Sequence, residues 1–557
     1  MSANPEEGTP GSVLPVGDGA LRLETEDTSS AAAAAARVRD AAYDGVRDVI
    51  CGLRSVLVVF DPRVADAAVL AARLRATDRS PVPSGWGRRI AIPVCFDGPD
   101  LDEVAHLSGL GARGVVEALT TTELAVAVLG FSPGFAYLSG LPEGLAKVPR
   151  RTSPRPSVPA GSVALAGGYA AVYPQQTPGG WQVVGRTELS LFDPLTPPYA
   201  RLASGDRVAL VEVPAASTGT AGQLPARRIR APWRSVAAGR PTFVVEHPGT
   251  FTTVQDAGRV GLGHLGVPAA GAADPVSARL ANALVGNGPG APCLEIAGSG
   301  PVLSCRAAGY VAVVGGEPGV WLDGSEVLPG RVVPVTAGQR LSISAPRHGM
   351  RTYLAAAGGL CVPAIMGSSS TDVLSWLGPG PLQSGDEIGI AGPIPALADH
   401  LLASAAGPAP AGRRVLRVVP GPEASWLQGG VVQSLAARRF VVESLSDRVG
   451  VRMRIDDDAG PLARRTGEVS SAGMVTGAVQ LPPSGQPIVL LPDHATLGGY
   501  PVVAVVVTAD LGQLGQCAPG EEVLLASVTL EEAGDALSAL DRWLAQAVAG
   551  RYPVRPG

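Results

Sequence analysis

Residues 159–186 read PAGSVALAGGYAAVYPQQTPGGWQVVGR, and residues 483–507 read PSGQPIVLLPDHATLGGYPVVAVVV. Each holds a Pro-x-Gly turn, an apolar strand and a polar stretch, then Gly-Gly-aromatic before a second strand. A Gly-acidic turn follows each, Gly205-Asp206 and Gly520-Glu521, and Gly385-Asp386 repeats that turn between them. Short apolar strands separated by Gly- and Pro-rich turns suit a sheet that curls and closes on itself. Their recurrence implies related β-barrel modules, about three along the chain.

Working outward, residues 1–12 read as a loose tail and 13–85 as a small lobe. In that lobe, Leu14–Glu24 is expected to form a strand, and Ser29 or Ser30 to cap a helix through Ile50. Ser55–Phe60 follows as a strand and Val64–Arg75 as a helix, giving a βαβα unit. From Ile90 the texture turns to short strands, so a barrel is expected over 86–213. Residues 214–240 read as a linker by composition. Two further barrels are expected over 241–410 and 411–557, with a soft joint near 402–413. Thr529-Leu-Glu-Glu532 is a capping box that opens a closing helix to about Val548. The fold class is therefore a β-rich α+β chain: an N-terminal α/β lobe, then barrels, then a C-terminal helix.

The 557 residues allow three or four domains at roughly 100–200 residues each. Hydrophobic residues make up 46% and charged residues 17%, which is ample for a core. The net charge is −5 and no dense basic run is interleaved with aromatics, so no nucleic-acid partner is expected. Lys147 is the only lysine. The six cysteines show no CxxC spacing, the N-terminal residues do not resemble a signal peptide, and no apolar run approaches the ~20 residues of a membrane span. Reduced thiols in a cytoplasmic protein, off the membrane, are expected.

Several chemistries lack their signatures. There is no GxxxxGK[ST] loop, no GxGxxG in a βαβ context, no HExxH and no GxSxG. No metal site is expected, and no lysine sits where biotin would be attached. ATP or biotin, if used, needs an unconventional site or a carrier on a partner.

Four clusters place polar residues in apolar surroundings. The first is GFSPGFAYL (130–138) with Arg150, Arg151 and Arg155 in a Pro-stiffened segment, where guanidinium groups can hold a carboxylate or phosphate bidentately. The second is TVQDAGR (253–259), followed by Asp274-Pro275, Asn282, Asn287 and Glu295. Asp274 before Pro275 reads as a helix cap. Glu295, alone in an apolar strand, needs a partner, and Arg259 is a plausible mate. The third is SDRVG (446–450) with Arg452. In the fourth, Gln480 opens QLPPSGQ, and Asp493 and His494 interrupt an apolar run before Gly-Gly-Tyr500.

The segments GFSPGFAYL, PRRTSPRPSVPAGSVA and TPGGWQVVGRTELSLFDP resemble the 5-oxoprolinase B family, related to allophanate hydrolase subunit 1 and the kinase inhibitor KipI. The segments FTTVQDAGRVGLGHLGVPAAGAADPVSARLANALVGN, SDRVGVRM and QLPPSGQPIVLLPDHATLGGYP resemble the 5-oxoprolinase C family, related to allophanate hydrolase subunit 2 and KipA. The resemblance covers about residues 13–215 and 241–525 and implies cyclophilin-like barrels. It also implies ATP-dependent opening of 5-oxoproline to L-glutamate, together with a separate A subunit of the LamB/YcsF type.

Resonance makes the lactam a poor electrophile, and phosphorylating its oxygen lets water attack the carbon. On that reading Arg259 and Arg448 supply positive charge, and Asp256, Asp447 or Asp493 acts as acid or base. Gln255, Gln480 and Tyr500 orient the substrate, while Asp274, Glu295, His494, Arg150, Arg155 and Arg186 complete its surroundings. ATP sits on this chain or on the partner. Four positions depart from the family pattern: Leu119 stands for a His, Ser369 and Gly380 each for an Arg, and Val451 for a Tyr. Two other functions stay open, carboxyl transfer from a partner's carboxybiotin to urea or a similar small amide, and KipI-like regulation of a histidine kinase without catalysis. The oligomeric state, a homo-oligomer included, stays open as well.

Overall fold

A computed structural model describes residues 8–80, 87–214, 241–393, 413–436, 438–456, 460–467 and 469–549. The expected linker and the joint near 402–413 lie almost wholly outside the described residues.

The N-terminal lobe is a four-stranded sheet in the order Val13–Pro15, Ala20–Glu24, Ser55–Phe60, Val46–Cys51, antiparallel throughout. Its element order is ββαββα, not the expected βαβα. The first helix, Thr28–Asp40, is capped by Asp27, whose carboxylate accepts the Ser30 N–H at 2.8 Å. It stops well short of Ile50 because Gly45 takes a left-handed turn (φ 76°) and the β-branched Val46, Val49 and Ile50 continue as a strand. The second helix, Ala67–Ala76, falls close to its expected place.

Two barrels share one topology. In the N-terminal barrel, strands one to seven are Arg89–Val94, Glu123–Leu129, Ala136–Ser139, Ser162–Ala166, Tyr169–Val172, Gln182–Arg186 and Arg207–Glu212. In the C-terminal barrel they are Arg413–Pro420, Phe440–Val442, Gly450–Ile455, Ala478–Gln480, Ile488–Leu490, Val502–Val506 and Glu522–Ser527. Round each wall the order is one, six, four, five, three, two, seven. Strand seven returns to strand one in parallel in both. The C-terminal barrel is closed along its ladders. The N-terminal one is joined at Cys95 and Arg186, whose backbones exchange two hydrogen bonds of 2.8 Å. A two-stranded lip stands beside each wall, Arg155–Val158 with Thr177–Gly179 and Ala472–Gly473 with Leu497–Gly498.

The repeated sequence features explain part of this likeness. Gly-Gly-aromatic leads from the lip into strand six in both barrels. The Gly-acidic turns open strand seven, and their carboxylates hold an arginine at the start of strand one: Asp206 with Arg88 at 2.6 Å, Glu521 with Arg414 at 2.8 Å. The Pro-x-Gly turns are not equivalent. Pro159–Gly161 precedes strand four, whereas Pro483–Gly485 lies between strands four and five.

The middle unit folds differently, from a seven-stranded and a five-stranded sheet sharing one apolar core that includes Phe243, Leu294, Val313 and Leu354. Asp386 here braces its own turn, accepting the Gln383 N–H at 2.6 Å. The helix Pro275–Leu284 packs on the closing helix Leu530–Val548. The latter carries the expected capping box between Thr529 and Glu532. All six cysteines are free thiols, and no helix among the described residues is long and apolar enough to cross a membrane.

Candidate functional site

The connection between strands two and three of the C-terminal barrel carries SDRVG. Asp447 is exposed and its carboxylate accepts the N–H groups of Val449 (2.8 Å) and Gly450 (3.2 Å). That turn leaves Arg448 buried at 4% exposure. Its Nε and Nη2 donate to the two carboxylate oxygens of Asp493 at 2.9 and 2.8 Å, a bidentate grip, and Nη2 also reaches the Gly271 carbonyl at 2.7 Å. Its Nη1 donates to Glu295 of the middle unit. Glu295 also accepts the Tyr353 hydroxyl (2.7 Å) and the Ala273 N–H (2.9 Å), and Arg351 Nε lies 3.3 Å away. The expected pairing of Glu295 with Arg259 is thus corrected: Arg448 and Arg351 hold it. Burial pushes the Glu295 carboxyl up, but these two guanidinium groups outweigh that and keep it below its ordinary value.

Arg259 lies close enough to Asp372, Asp256 and Asp493 to feel their charge. Its Nη2 donates to the Ser370 carbonyl at 2.6 Å and its Nε to the Ile365 carbonyl at 3.2 Å, while Nη1 is buried without a hydrogen-bond partner among the described residues. Burial lowers its pKa, against the pull of Asp372, Asp256 and Asp493. Asp372 is fully buried. Burial first, and the neighbouring Asp493 second, push its carboxyl up to about 8. Of these two acids Asp493 holds the bidentate arginine, so Asp372 is the one that keeps a proton at neutral pH.

Asp256 is saturated, once by its own loop and three times by the distant Ser368–Ser370 segment. It accepts the Ser368 hydroxyl (2.6 Å), the Ser370 hydroxyl (2.5 Å), the Gly258 N–H (2.8 Å) and the Ser369 N–H (2.6 Å). Ser369, where the family pattern has Arg, therefore meets the same carboxylate through its backbone. Leu119 and Val451 sit in apolar barrel cores.

The other expected residues divide by place. Gln255 is buried, with Nε2 on the Thr371 carbonyl at 3.0 Å. Asp274 caps its helix and accepts Gln516 Nε2 at 2.9 Å. His494 is buried, which lowers its pKa, and its Nδ1 lies 2.8 Å from the Ala495 carbonyl. Gln480 donates to the Met474 sulfur at 3.3 Å. Tyr500 is 43% exposed. Two arginines expected to clamp an anion already hold one carboxylate, Arg155 gripping Asp100 at 2.7 and 2.8 Å and Arg151 reaching it at 2.9 Å, while Arg186, expected near the substrate, meets Asp97 at 2.9 Å. Arg150 is exposed at the edge of the lip, near Gly499. Asp372, Arg351, Tyr353 and Gln516 were not singled out from sequence. Asp372 alone had a local signal, directly following the Gly-Ser-Ser-Ser-Thr run.

Motif loops from both halves meet at one seam. The Gly134 N–H donates to the Leu265 carbonyl at 2.9 Å. A Cβ on Gly130 would come 2.2 Å from the Leu497 side chain, and one on Gly266 2.2 Å from the Ser132 carbonyl, so both approaches require glycine. The N-terminal lobe closes the same seam. The Leu53 N–H bonds the Ser471 carbonyl at 2.9 Å, and Arg22 pairs with Glu423 at 2.7 Å.

Two barrels of one topology, docked through a middle unit, define a carboxyltransferase-domain protein. Residues 12–202 match the family described as carboxyltransferase domain, subdomain C and D, and residues 265–527 match carboxyltransferase domain, subdomain A and B. The chain is 37% identical to the 5-oxoprolinase C subunit of Escherichia coli (strain K12) over 303 residues, 54% of this chain and 95% of that protein. It is 42% identical to the 5-oxoprolinase B subunit of Escherichia coli O157:H7 over 170 residues, 30% of this chain and 78% of that protein. The crystal structure of TTHA0988 superposes with a TM-score of 0.80 at 34% identity, covering 91% of this chain and 100% of that one. The chain belongs to the 5-oxoprolinase B/C family, with both halves in one polypeptide.

Proposed function

We propose that this chain is the fused B and C component of an ATP-dependent 5-oxoprolinase that opens 5-oxoproline to L-glutamate with a LamB/YcsF-type A subunit. The observation that carries the reading is the seam. Relatives of the B type and of the C type are matched in one chain, and the motif loops of both halves pack on each other there.

Lactam opening leaves the ring nitrogen as an amine, so a proton must reach it, and the carbonyl oxygen needs a donor as charge develops. Asp372 retains a proton at neutral pH and is the group we assign as acid. The unfilled Nη1 of Arg259 is the donor we assign to the oxygen. A triphosphate needs several free cationic donors, and Arg155, Arg186 and Arg448 are all committed to carboxylates. We therefore place the nucleotide on the partner and route no step through it here.

The test is to combine the chain with its candidate A partner and measure glutamate from 5-oxoproline with and without ATP. ATP-dependent glutamate is expected, and Asp372→Asn and Arg259→Met should each lower kcat by roughly 100-fold, as expected for a lost acid or oxyanion donor. Absence of ATP-dependent glutamate would overturn the reading. Carboxylation of urea by carboxybiotin would instead favour the second one, which rests on the carboxyltransferase match of both halves.

A further inference from the structure

A cavity of about 350 Å³ opens on the C-terminal barrel, away from the buried ion pairs. Three sequence clusters converge on it: Arg452 from SDRVGVR, Ser484 and Gln486 from QLPPSGQP, and Tyr500 from Gly-Gly-Tyr. Glu443 completes the polar lining, and Met453 and Ile488 are among the apolar walls.

Glu443 and Arg452 face each other across strands two and three. The register pairs Val442 with Met453, and the Glu443 N–H donates to the Arg452 carbonyl at 2.9 Å. Opposite charges at such positions commonly bridge. Here, among the described residues, no ion pair within 4.0 Å joins their side chains. Gln486 is fixed by its Oε1, which accepts the Ile455 N–H at 2.9 Å, so its Nε2 is the end available as a donor. The cavity thus offers a carboxylate and a guanidinium from neighbouring strands that do not bridge each other, with an amide donor and a phenol in the same lining.

We propose that this cavity binds an α-amino acid in its zwitterionic form: Glu443 takes the ammonium, and Arg452 takes the carboxylate. Resting on the function proposed above, the ligand is the L-glutamate product. 5-Oxoproline is a poor match because its nitrogen is an uncharged amide. The site therefore discriminates product from substrate and holds the product away from the reacting groups around Arg259.

Isothermal titration of the full chain with L-glutamate, 5-oxoproline and glutarate tests this. L-Glutamate should bind, with 5-oxoproline and glutarate weaker by roughly tenfold or more, since each lacks the ammonium. Glu443→Gln and Arg452→Gln should each weaken L-glutamate by a similar factor while leaving the melting temperature unchanged. No L-glutamate binding at millimolar concentration, or equal binding by both variants and the parent, would overturn the site. Glutamate formation with the A partner is scored separately. Turnover without L-glutamate binding sinks the site and keeps the function; binding that the two variants lose, without turnover, sinks the function and keeps an amino-acid site.

Discussion

The two barrels have the same seven strands in the same order, yet they fill equivalent places with opposite chemistry. In the C-terminal barrel the connection between strands two and three supplies Arg448, and the segment after strand five supplies Asp493. In the N-terminal barrel those places hold the GFSPGF loop and Pro174–Gln176. Ser132 Oγ and Gln175 Nε2 are buried there without a hydrogen-bond partner among the described residues. Around them Phe135 makes edge contacts with Phe131, Tyr137, Tyr173 and Trp181 at 5.2–5.7 Å. The C-terminal barrel must lock a second acid, Glu295, carried in by the middle unit, and a buried charge is tolerable only when paired. Among the described residues the N-terminal barrel receives no such acid from the middle unit and packs rings at these places instead. Topology sets where the loops stand, and the docking partner sets what they carry.

The largest test of this contrast is to remove the central cation. Arg448→Met leaves Asp493 and Glu295 buried without their main partner, and should cost about 3–5 kcal/mol of stability. Ser132→Ala, at the corresponding connection of the other barrel, removes a hydroxyl with no partner among the described residues and should change stability by less than about 1 kcal/mol. Urea midpoints measured at one pH compare the two. Equal losses would mean that the barrels do not differ as described.

The second test uses protons, because the charged network titrates and the aromatic one does not in the working range. Asp372 has a folded pKa near 8 against an ordinary 3.8. A raised folded value means that the native state binds the proton more tightly than the unfolded chain does. Its contribution is fully present below the ordinary carboxyl range and is lost as pH rises towards 8. The slope is at most about 1.4 kcal/mol per pH unit. Asp372→Asn removes that dependence, so the stability of the variant relative to the parent should climb from about pH 4 to about pH 8 and then level. A flat difference across that range, read from urea midpoints at successive pH values, would show that Asp372 is ionised in the fold.

How far the sequence alone reaches follows from the same contrast. Repeated Gly-Gly-aromatic and Gly-acidic signals are local, and they marked two strand-six entries and two strand-seven turns correctly. The capping box at Thr529 and Glu532 is local too, and the closing helix begins there. Asp493 could be picked because it interrupts an apolar run, and Arg448 because SDRVG resembles a family motif. The partner of Glu295 could not be read, because it depends on how the middle unit docks against a barrel more than 150 residues further along. The arginine clamp at Arg155 looked free because Asp100, which occupies it, lies 55 residues earlier in a segment with no motif. Asp372 was passed over since its significance comes from burial beside Asp493, which no spacing records.

The smallest effect probes a feature that the barrels share. Thr177-Pro-Gly-Gly-Trp181 and Thr496-Leu-Gly-Gly-Tyr500 carry the same Thr-x-Gly-Gly-aromatic pattern, and both threonine hydroxyls are buried without a partner among the described residues. A buried hydroxyl without a protein partner loses its hydration on folding and gains nothing from the chain in return. Valine has the same shape without the hydroxyl, so Thr177→Val and Thr496→Val should each leave stability unchanged or raise it by up to about 1 kcal/mol. An ordered water on the hydroxyl moves the result towards zero, because the variant loses that bond together with the desolvation cost. A clear loss in one variant alone would show that one lip has a hydrogen-bond partner that the other lacks, and the likeness of the two lips would then end at the backbone. Matching results would extend it to the side chains, leaving Arg448, Asp493 and their acid from the middle unit as the point where the barrels part.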